Sequence, residues 1–267
     1  MVKAAVSGAA GRVGQAIIRA ISRTDGIVLA GALEGEKHVS LGEDAGQQAG
    51  TERADVPVTS GLEDVLKDAD VLIDFTIPRA ALNHVEACAR TGTAAVVGTT
   101  GFSPEETEAF TLFAQQTRTV FAPNMSVGVN LLFRLAEMAT RFLGDSFDVE
   151  IIEAHHRMKK DAPSGTALML AEVTAAALDR DLDTEAVYAR HGMIGERTDK
   201  EIGIQTIRAG DIVGEHTLLL AGPGERLELT HRAHSRDNFA QGAVRAALWV
   251  VNKPNGLYGM ADVLEFK

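Results

Sequence analysis

The first half of the chain alternates short, almost wholly apolar runs with longer stretches in which apolar residues recur at helical spacing. Strands that are apolar at nearly every position are typical of a parallel sheet covered on both faces. The pattern therefore predicts a Rossmann-like, doubly wound α/β domain. The predicted strands are Lys3–Ser7, Ile27–Leu33, Val71–Phe75 and Ala94–Val97, and the predicted helices are Arg12–Ser22, Gly61–Lys67, Pro78–Arg90 and Pro104–Gln116.

The pattern changes after about Pro123, where helices and strands no longer alternate regularly. This half predicts a second, α+β domain with an open antiparallel or mixed sheet. A final helix is expected to pack back on the first domain, so we assign residues 1–126 and 236–267 to the first domain and 127–235 to the second. The helices of this half are predicted over 129–143, 164–178 and 238–251, and the strands over 148–154, 202–209, 215–220 and 225–230.

A glycine-rich turn follows the first predicted strand and opens the first predicted helix. Glycine lets the backbone approach a pyrophosphate, and the amides at a helix N-terminus stabilise its charge. Glu34, at the end of the second predicted strand, is placed to accept hydrogen bonds from ribose hydroxyls. We therefore expect dinucleotide binding, the alternative being a packing turn in a protein with another ligand. The expected phosphate-loop residues are Gly8, Ala9, Ala10, Gly11, Arg12 and Val13.

The sequence leaves the identity of the dinucleotide open, with NADH favoured over NADPH. The carboxylate of Glu34 would repel the 2′-phosphate of NADPH, and Gly35 offers no cation to bind it. Arg12 and Lys37 are the residues that would supply one. For Arg12, a solvated position on the helix is the plainer interpretation.

Two further loops follow strands at the same edge of the predicted sheet. In an open α/β sheet, ligands bind at the carboxyl ends of the strands. The amides and carbonyls of these loops are therefore expected to bind the carboxamide of a nicotinamide. The loops are Gly98-Thr99-Thr100-Gly101 and Ala122-Pro123-Asn124-Met125.

The segment Glu153–Ala167, EAHHRMKKDAPSGTA, combines proton donors with a predicted anion site. Histidine titrates near neutral pH, and a nearby lysine donates a proton or neutralises a carboxylate. On a strand, His155 and His156 would point to opposite faces, whereas in a helical turn His155 and Lys159 would share one side. The alternative is an ordinary helix start beside solvated basic residues.

The end of the same segment predicts a helix N-terminus. Ser164 is expected to cap the helix, and the backbone amides of Gly165 and Thr166 are expected to bind a carboxylate. Together with His155 and Lys159 they predict a site for a small anionic substrate.

Composition and charge argue against several classes of function. A formal net charge of −11 does not suit nucleic acid or acidic membranes, which need clustered Lys and Arg. No apolar run approaches the ~18 residues of a membrane span, and the N-terminus is not typical of a signal peptide. Cys88 is the only cysteine, so no intrachain disulfide forms, and we expect a buried thiol rather than a nucleophile. These features predict a cytoplasmic protein.

No metal site is expected from the spacing of the candidate ligands. Adjacent histidines diverge on a strand, and the acidic residues around them match no common metal motif. A metal ion is therefore not needed to explain the segment.

The segment Glu153–Ala167 resembles the diagnostic motif of the dihydrodipicolinate reductase family. The likeness covers essentially the whole chain, and several independent motifs occur in the right order. The other stretches that carry it are Gly8–Gly14, Asp74–Thr76, Gly98–Phe102, Asn124–Asn130, Arg208–His216 and Phe239–Ala243.

This resemblance implies a reductase that transfers hydride from NADH or NADPH to a cyclic, unsaturated dicarboxylate. The product would be tetrahydrodipicolinate, formed with loss of water on the diaminopimelate route to lysine. By position, His155 and Lys159 would be the proton-transfer pair, and His156, Gly165 and Thr166 would contact the substrate. The resemblance also implies cofactor roles for Gly8–Val13, Glu34, Gly98–Thr100 and Ala122–Met125, and a homotetramer built through the second domain's sheet.

Two positions depart from the family's pattern. Members that use NADPH well often carry Arg where this chain has Gly35, which favours NADH or dual use here. Met125 stands where an aromatic residue is often found, which predicts a looser nicotinamide pocket.

Two other functions remain open from the residues. One is an amino-acid dehydrogenase with this two-domain layout, whose substrate would carry one carboxylate and an amine. The other is a sensor that binds the dinucleotide without oxidising it, against which the intact His155–Lys159 pair argues. The sequence also leaves open which of these two residues delivers the proton.

Overall fold

The computed structural model describes residues 1–266. The strands are β1 (Val2–Ser7), β2 (Ile27–Leu33), β3 (Val58–Thr59), β4 (Val71–Asp74), β5 (Ala94–Val97), β6 (Arg118–Phe121), β7 (Asp148–His155), β8 (Ala186–Val187), β9 (Ile202–Arg208), β10 (Gly214–Gly222), β11 (Glu225–Ala233) and β12 (Gly256–Tyr258). The α-helices are α1 (Arg12–Ile21), α2 (Ala45–Gln48), α3 (Leu62–Lys67), α4 (Pro78–Thr91), α5 (Pro104–Ala114), α6 (Val127–Leu143), α7 (Gly165–Ala177), α8 (Leu182–Glu185), α9 (Asp237–Val250) and α10 (Met260–Val263).

The chain divides into two compact units, one of Met1–Val127 with the segment from Arg236 onward, and one of Gly128–Ser235. The first unit contains a seven-stranded sheet in the order β12-β6-β5-β4-β1-β2-β3. All its strand pairs are parallel. The order reverses direction between β1 and β4, where a doubly wound sheet binds its ligand. The predicted fold class of this domain is confirmed.

Apolar residues of the first unit's strands alternate between two cores, one on each face of the sheet. Val6, Ile73 and Val96 belong to the core that also contains residues of α1 and α9. Leu72 and Ala95 belong to the opposite core, with residues of α3, α4 and α5. Every residue of β4 and β5 is buried, which is why these strands lack polar alternation. Helix α9 near the end of the chain packs against α1, as expected.

Local signals set the bounds of the helices that cover this sheet. Helix α5 begins at Pro104 after a capping box formed by Ser103 and Glu106. Helix α4 begins at Pro78 and ends before Gly92, whose φ of 75° lies in the left-handed region. The helices therefore end close to where the sequence predicts.

The second unit contains a five-stranded sheet in the order β11-β10-β7-β9-β8. The β10 strand is antiparallel to β7 and β11, whereas β9 is parallel to β7 and β8, so the predicted second sheet is mixed. One face packs on residues of α6 and α7 through a core that includes Ile151, Ile204, Leu218 and Leu170. This arrangement confirms the predicted α+β class.

Three short strands were not predicted: β3, β8 and β12. Each contains only two or three residues, too few to show a hydrophobic period. Each pairs with a longer neighbouring strand. Their existence therefore depends on tertiary pairing rather than on a local sequence signal.

Candidate functional site

The predicted phosphate loop lies between β1 and α1, at the carboxyl edge of the first sheet. Gly8 has a φ of 66°, a conformation that L-residues with a side chain rarely adopt. A Cβ at Gly14 would lie 2.1 Å from the carbonyl oxygen of Gly8, so only glycine lets the helix approach the loop this closely. Gly11 and Arg12 at the helix start are exposed. The loop therefore presents backbone and a helix N-terminus to solvent, as dinucleotide binding requires.

Glu34 follows β2 directly and lies against this loop. Its Oε1 accepts a hydrogen bond of 2.9 Å from the amide of Ala10. Its Oε2 accepts one of 3.3 Å from the amide of Gly35. Ala9 is buried and Val13 is half-buried against the core. The structure thus brings the predicted ribose-binding carboxylate next to the predicted phosphate-binding backbone.

A buried carboxylate that the sequence analysis did not single out organises the neighbouring strand ends. Asp74, at the end of β4, is 1% exposed and lies 2.5 Å from Nδ1 of His84. Its Oδ1 accepts hydrogen bonds of 2.9 Å from the amide of Thr76 and 3.2 Å from the hydroxyl of Thr99. The Thr76 amide also donates to the Thr99 hydroxyl at 3.0 Å. These bonds fix the loop after β5 against the end of β4.

The loops predicted to bind the nicotinamide lie at the expected edge of the sheet. Gly98 is buried, and a Cβ there would lie 2.1 Å from the ring of Phe75, whereas Thr100 is exposed. In the second loop Ala122 is buried, Pro123 is exposed and Asn124 accepts a hydrogen bond from the amide of Ser126.

The sequence predicts that Met125 lines the nicotinamide pocket, but its side chain lies elsewhere in the structure. It is 0% exposed and belongs to the first unit's core. Its side chain therefore packs the interior of the first unit.

Taken together, the residues of the first unit fit a dinucleotide. The fit rests on the close approach of α1 to the loop, on Glu34 beside that loop, and on the strand ends that meet at the switch point. When bound, NAD(P)H would lie on these residues and supply a hydride.

In the second unit, His155 is the last residue of β7 and lies on the helix-covered face of the sheet. It is 9% exposed, and its Nδ1 lies 2.6 Å from Oε2 of Glu153. The strand alternative for this segment is therefore correct, and the helical one is wrong. His156, just beyond the strand, is half-buried.

Glu153 is the centre of a buried polar network. It is 0% exposed and forms two hydrogen bonds with the guanidinium of Arg208, at 2.8 and 2.7 Å. It also accepts a 2.9 Å bond from the amide of Ser164. Burial alone would raise the pKa of Glu153, but the bonds from His155, Arg208 and Ser164 lower it to about 2. The carboxylate is therefore ionised at neutral pH.

His216 on β10 lies beside His155, with ring centroids 5.2 Å apart. Its Nε2 is 3.1 Å from the hydroxyl of Ser164, and its Nδ1 has no partner within the described residues. Burial is the largest cause of a lowered pKa of about 3 for His216, and an electrostatic contribution from His155 is the second. Lys159 makes a smaller contribution to this lowering. His216 is therefore neutral at neutral pH.

Lys159 lies in the loop that follows β7. Its amide donates to the carbonyl of His156 at 3.1 Å, and its Nζ pairs with Asp161 at 2.8 Å. The hydrogen bond from Lys159 is the main cause of a lowered pKa at Asp161. No direct hydrogen bond joins His155 and Lys159 among the described contacts, and each contacts its own carboxylate.

The predicted helix start is confirmed. Helix α7 begins at Gly165, and the hydroxyl of the capping residue Ser164 accepts a 3.2 Å bond from the amide of Ala167. As the first helical residue, Gly165 has no intrahelical acceptor for its amide. A Cβ at Gly165 would contact nothing within 4 Å, so the helix start is open to a ligand. Thr166 follows it in the first turn.

Three residues of this cluster, Glu153, Arg208 and His216, were not predicted to belong to the site. The pairing of β7 with its neighbours β9 and β10 brings them together. In this pairing Glu153 lies opposite Thr206 and His216, and His155 lies opposite Arg208. Arg208 and His216 were visible only as parts of a motif shared with the family. Their proximity to His155 could not be inferred without the strand pairing.

The lowered pKa of His216 predicts a pH-dependent stability. The folded protein keeps His216 neutral down to a pH of about 3, whereas the unfolded chain protonates it below its ordinary value of 6.5. Its stabilisation is thus present above pH 6.5 and is lost as the pH falls toward 3. We expect about 2 kcal/mol less unfolding free energy at pH 5 than at pH 7 from this residue.

Urea unfolding of the wild type and of His216→Asn at these pH values measures this contribution. The variant should show the smaller decrease on acidification, whatever its absolute stability. Equal decreases in the two proteins would contradict the assignment of a neutral, buried His216.

Within residues 1–266, no group of three or more His, Cys, Asp and Glu side chains is arranged to bind a metal ion. None of the helices described is long and apolar enough to cross a membrane. Cys88 is 0% exposed, and burial raises the pKa of its thiol, which makes it a packing residue as expected.

Comparisons with known proteins agree with these observations. Residues 2–125 match the family model "Dihydrodipicolinate reductase, N-terminus", and residues 128–264 match "Dihydrodipicolinate reductase, C-terminus". A 4-hydroxy-tetrahydrodipicolinate reductase of Syntrophobacter fumaroxidans is 55% identical over 267 residues, which is 100% of both chains.

Two solved structures define how far the likeness of fold extends. A dipicolinate-bound dihydrodipicolinate reductase from Paenisporosarcina sp. TG-14 has a TM-score of 0.77 at 27% identity and covers 98% of each chain. An amine dehydrogenase from Mycobacterium smegmatis, with a TM-score of 0.58 at 15% identity over 96% of this chain and 94% of its own, shares the fold alone. With both family models matched along nearly its whole length, the chain belongs to the dihydrodipicolinate reductase family.

Proposed function

We propose that this protein reduces 4-hydroxy-tetrahydrodipicolinate to tetrahydrodipicolinate with NAD(P)H, in the diaminopimelate route to lysine. In this reaction the ring gains a hydride and a proton and loses its hydroxyl group as water. The observation that carries the proposal is the cluster at one end of the second sheet, where His155 lies beside His216 and the N-terminus of α7. The relative with dipicolinate bound supports a ring dicarboxylate as the ligand class.

The substrate carboxylates would bind at the start of α7. Gly165 is the first residue and Thr166 the second residue of a 13-residue helix, and a helix N-terminus favours an anion. Lys159 adds a positive charge in the preceding loop, and His156 follows β7 beside it. Two carboxylates on one ring suit this pairing of a cation with helix amides better than a single carboxylate does.

The proton would come from His155 or Lys159. Addition of hydride to the conjugated imine builds negative charge on the ring, which a nearby acid neutralises. His155 carries the hydrogen bond to Glu153 on Nδ1, so its Nε2 is the atom open to substrate. Lys159 shares its charge with the more exposed carboxylate of Asp161 and is placed to bind or protonate the substrate.

We propose NADH as the preferred cofactor, because the carboxylate of Glu34 lies beside the loop proposed to bind the pyrophosphate and Gly35 adds no cation. Gly35→Arg should therefore raise kcat/KM for NADPH relative to NADH. A Cβ at Gly35 would meet nothing within 4 Å, so the new side chain has room. A hydrogen bond to a charged group contributes ~1.5–3 kcal/mol, which corresponds to a shift of about 10-fold or more.

The measurement is kcat/KM for both dinucleotides, with the wild type and the variant assayed side by side. The wild type should already favour NADH. A strong wild-type preference for NADPH would contradict the proposed role of Glu34 and Gly35.

We further propose a homotetramer formed through the second sheet, in a cytoplasmic protein. The sheet face opposite α6 and α7 carries apolar residues, among them Ile207, which is 46% exposed. Strand register places Ile152 on the same face. Light scattering after size exclusion should give four chains per particle, and a monomer would contradict this part of the proposal.

A substrate panel tests the proposed reaction against the amino-acid dehydrogenase. NADH absorbance is followed with the ring dicarboxylate made in situ by an upstream synthase, and with 2-oxo acids plus ammonia. Oxidation with the ring dicarboxylate alone is the expected result. Faster oxidation with a 2-oxo acid would replace the proposal with the dehydrogenase, and binding of NADH with no oxidation at all would replace it with the sensor.

A further inference from the structure

We propose that Glu153 and Arg208 form a positioning pair for the reaction. In this proposal Glu153 fixes the proton of His155 on Nδ1, so that Nε2 alone exchanges protons with the substrate. Arg208 keeps Glu153 charged and also fixes the loop that carries Lys159. The catalytic part of this inference rests on the proposed function, whereas the position of the His155 proton can be measured without it.

The geometry of Glu153 carries the first step. Its carboxylate is completely buried and faces four donor groups. They are the ring of His155, the guanidinium of Arg208, the amide of Ser164 and, at 3.4 Å, the hydroxyl of Thr206. An ionised carboxylate can only accept hydrogen bonds. The contact of 2.6 Å with His155 Nδ1 therefore requires a proton on Nδ1. This contact selects one tautomer of the neutral ring.

The other ring nitrogen of His155 is left available by the surrounding backbone. Nε2 forms no hydrogen bond within residues 1–266. A Cβ at Gly214 would lie 3.0 Å from Nε2, so a side chain at position 214 would crowd this nitrogen. His155 is thus fixed at Nδ1 and open at Nε2, the arrangement that a proton-transfer residue needs.

Arg208 connects this histidine to the loop that carries the second predicted proton-transfer residue. Its guanidinium forms the paired bonds with Glu153 and also donates to the carbonyl of Asp161 at 2.6 Å. The side chain of Asp161 in turn contacts Lys159. One arginine therefore links Glu153 on β7 with the Lys159 loop. Without it, Glu153 would be a buried charge without a cation.

The same strand supplies a matched control. Glu150 lies three residues before Glu153 on β7 and also forms two hydrogen bonds with an arginine, from Arg190 at 3.0 and 2.6 Å. Glu150 has no contact with a histidine among the described bonds. Glu150→Gln therefore removes a paired carboxylate from the same strand without touching the proposed network.

The first measurement uses the wild-type protein labelled with ¹⁵N-histidine, in which NMR reports the protonated nitrogen of each neutral ring. His155 is assigned by comparison with His155→Asn. The expected result is a proton on Nδ1. A neutral ring protonated on Nε2 in the wild type would overturn the proposal, even if the enzyme is fully active.

The second measurement compares Glu153→Gln with Glu150→Gln. The glutamine side chain should turn its oxygen toward the donors Arg208 and Ser164, and its NH₂ group toward His155. Because Nδ1 of His155 must then accept a hydrogen bond, the ring proton moves to Nε2. Loss of such supporting contacts typically lowers activity by ~10–100-fold. We expect this decrease in kcat, with little change in KM for NADH, and near-wild-type kinetics for Glu150→Gln.

Two kinetic results would overturn the positioning role. One is wild-type kcat in Glu153→Gln, and the other is an equal loss of kcat in both variants, which would indicate a general effect of removing a paired carboxylate. Should Glu153→Gln fail to fold, Gly214→Ala tests the same idea, because its methyl group would crowd Nε2 with Glu153 intact. It should also lower kcat, and wild-type kcat there would contradict the role of Nε2. An inactive wild type would refute the proposed function instead.

Discussion

Lys159→Ala should lower kcat by about 10²–10⁴-fold, the range typical for loss of a positioned acid or base. Lys159 is the cation of the loop between β7 and α7 that pairs with Asp161, and its side chain is only 21% exposed. Its removal takes away either a proton donor or the positive charge that binds a substrate carboxylate. The affinity for NADH should stay near normal, because the residues proposed to bind NADH belong to the first unit.

The neighbouring Lys160 provides the control for this experiment. It is exposed and lies one residue further along the same loop, so Lys160→Ala changes the net charge equally. Steady-state kinetics of both variants, with NADH binding followed by fluorescence, make the comparison. Near-wild-type kcat in Lys159→Ala, or equal losses in both variants, would contradict the assignment.

Gly14→Ala should strongly weaken NADH binding. The new Cβ would lie 2.1 Å from the carbonyl oxygen of Gly8, and contacts that short do not occur between unstrained atoms. Helix α1 must therefore move away from the phosphate loop, which displaces the amides proposed to bind the pyrophosphate. Overpacking of this kind typically costs about 1–3 kcal/mol, which corresponds to roughly 5- to 150-fold in affinity if it acts on cofactor binding.

Gly61→Ala is the matched substitution outside the proposed site. There the new Cβ would lie 3.5 Å from Asp64, an ordinary contact, and the residue lies at the start of α3. NADH titration should give a wild-type Kd for Gly61→Ala and a raised one for Gly14→Ala. An unchanged Kd in Gly14→Ala would remove the phosphate loop from the cofactor site.

The layout of the first unit could be predicted from sequence because its strands are buried on both faces. The residues of β4 and β5 are all apolar except Asp74, and turns or helix signals surround them. By contrast, β3 and β8 contain two residues each and form only because a longer strand lies beside them. Two residues are too few to show a hydrophobic period, so the sequence does not reveal strands of that length.

In the candidate site, too, the features that depend on local sequence could be predicted, whereas those that depend on strand pairing could not. Ser164 and the start of α7 could be predicted because capping is local in sequence. The contact between Glu153 and Arg208 spans 55 positions, and that between Ser164 and His216 spans 52. Such contacts depend on the order and register of β7, β9 and β10, which no local pattern in the sequence specifies.

The Asp74–His84 pair shows the same limit in the first unit. Asp74 was visible only as part of a motif shared with the family, and His84 lies within α4 with nothing in its neighbourhood to mark it. Their contact arises because α4 returns over the end of β4. A polar residue at the end of a buried strand is the signal that could have identified Asp74.

The most direct test of the central claim is the NADH-dependent conversion of the ring dicarboxylate generated by an upstream synthase, with the product identified by mass spectrometry. The account predicts that each NADH oxidised yields one tetrahydrodipicolinate that has lost the hydroxyl group of the substrate. NADH oxidation that does not depend on the synthase product, or a product that keeps the hydroxyl group, would contradict it.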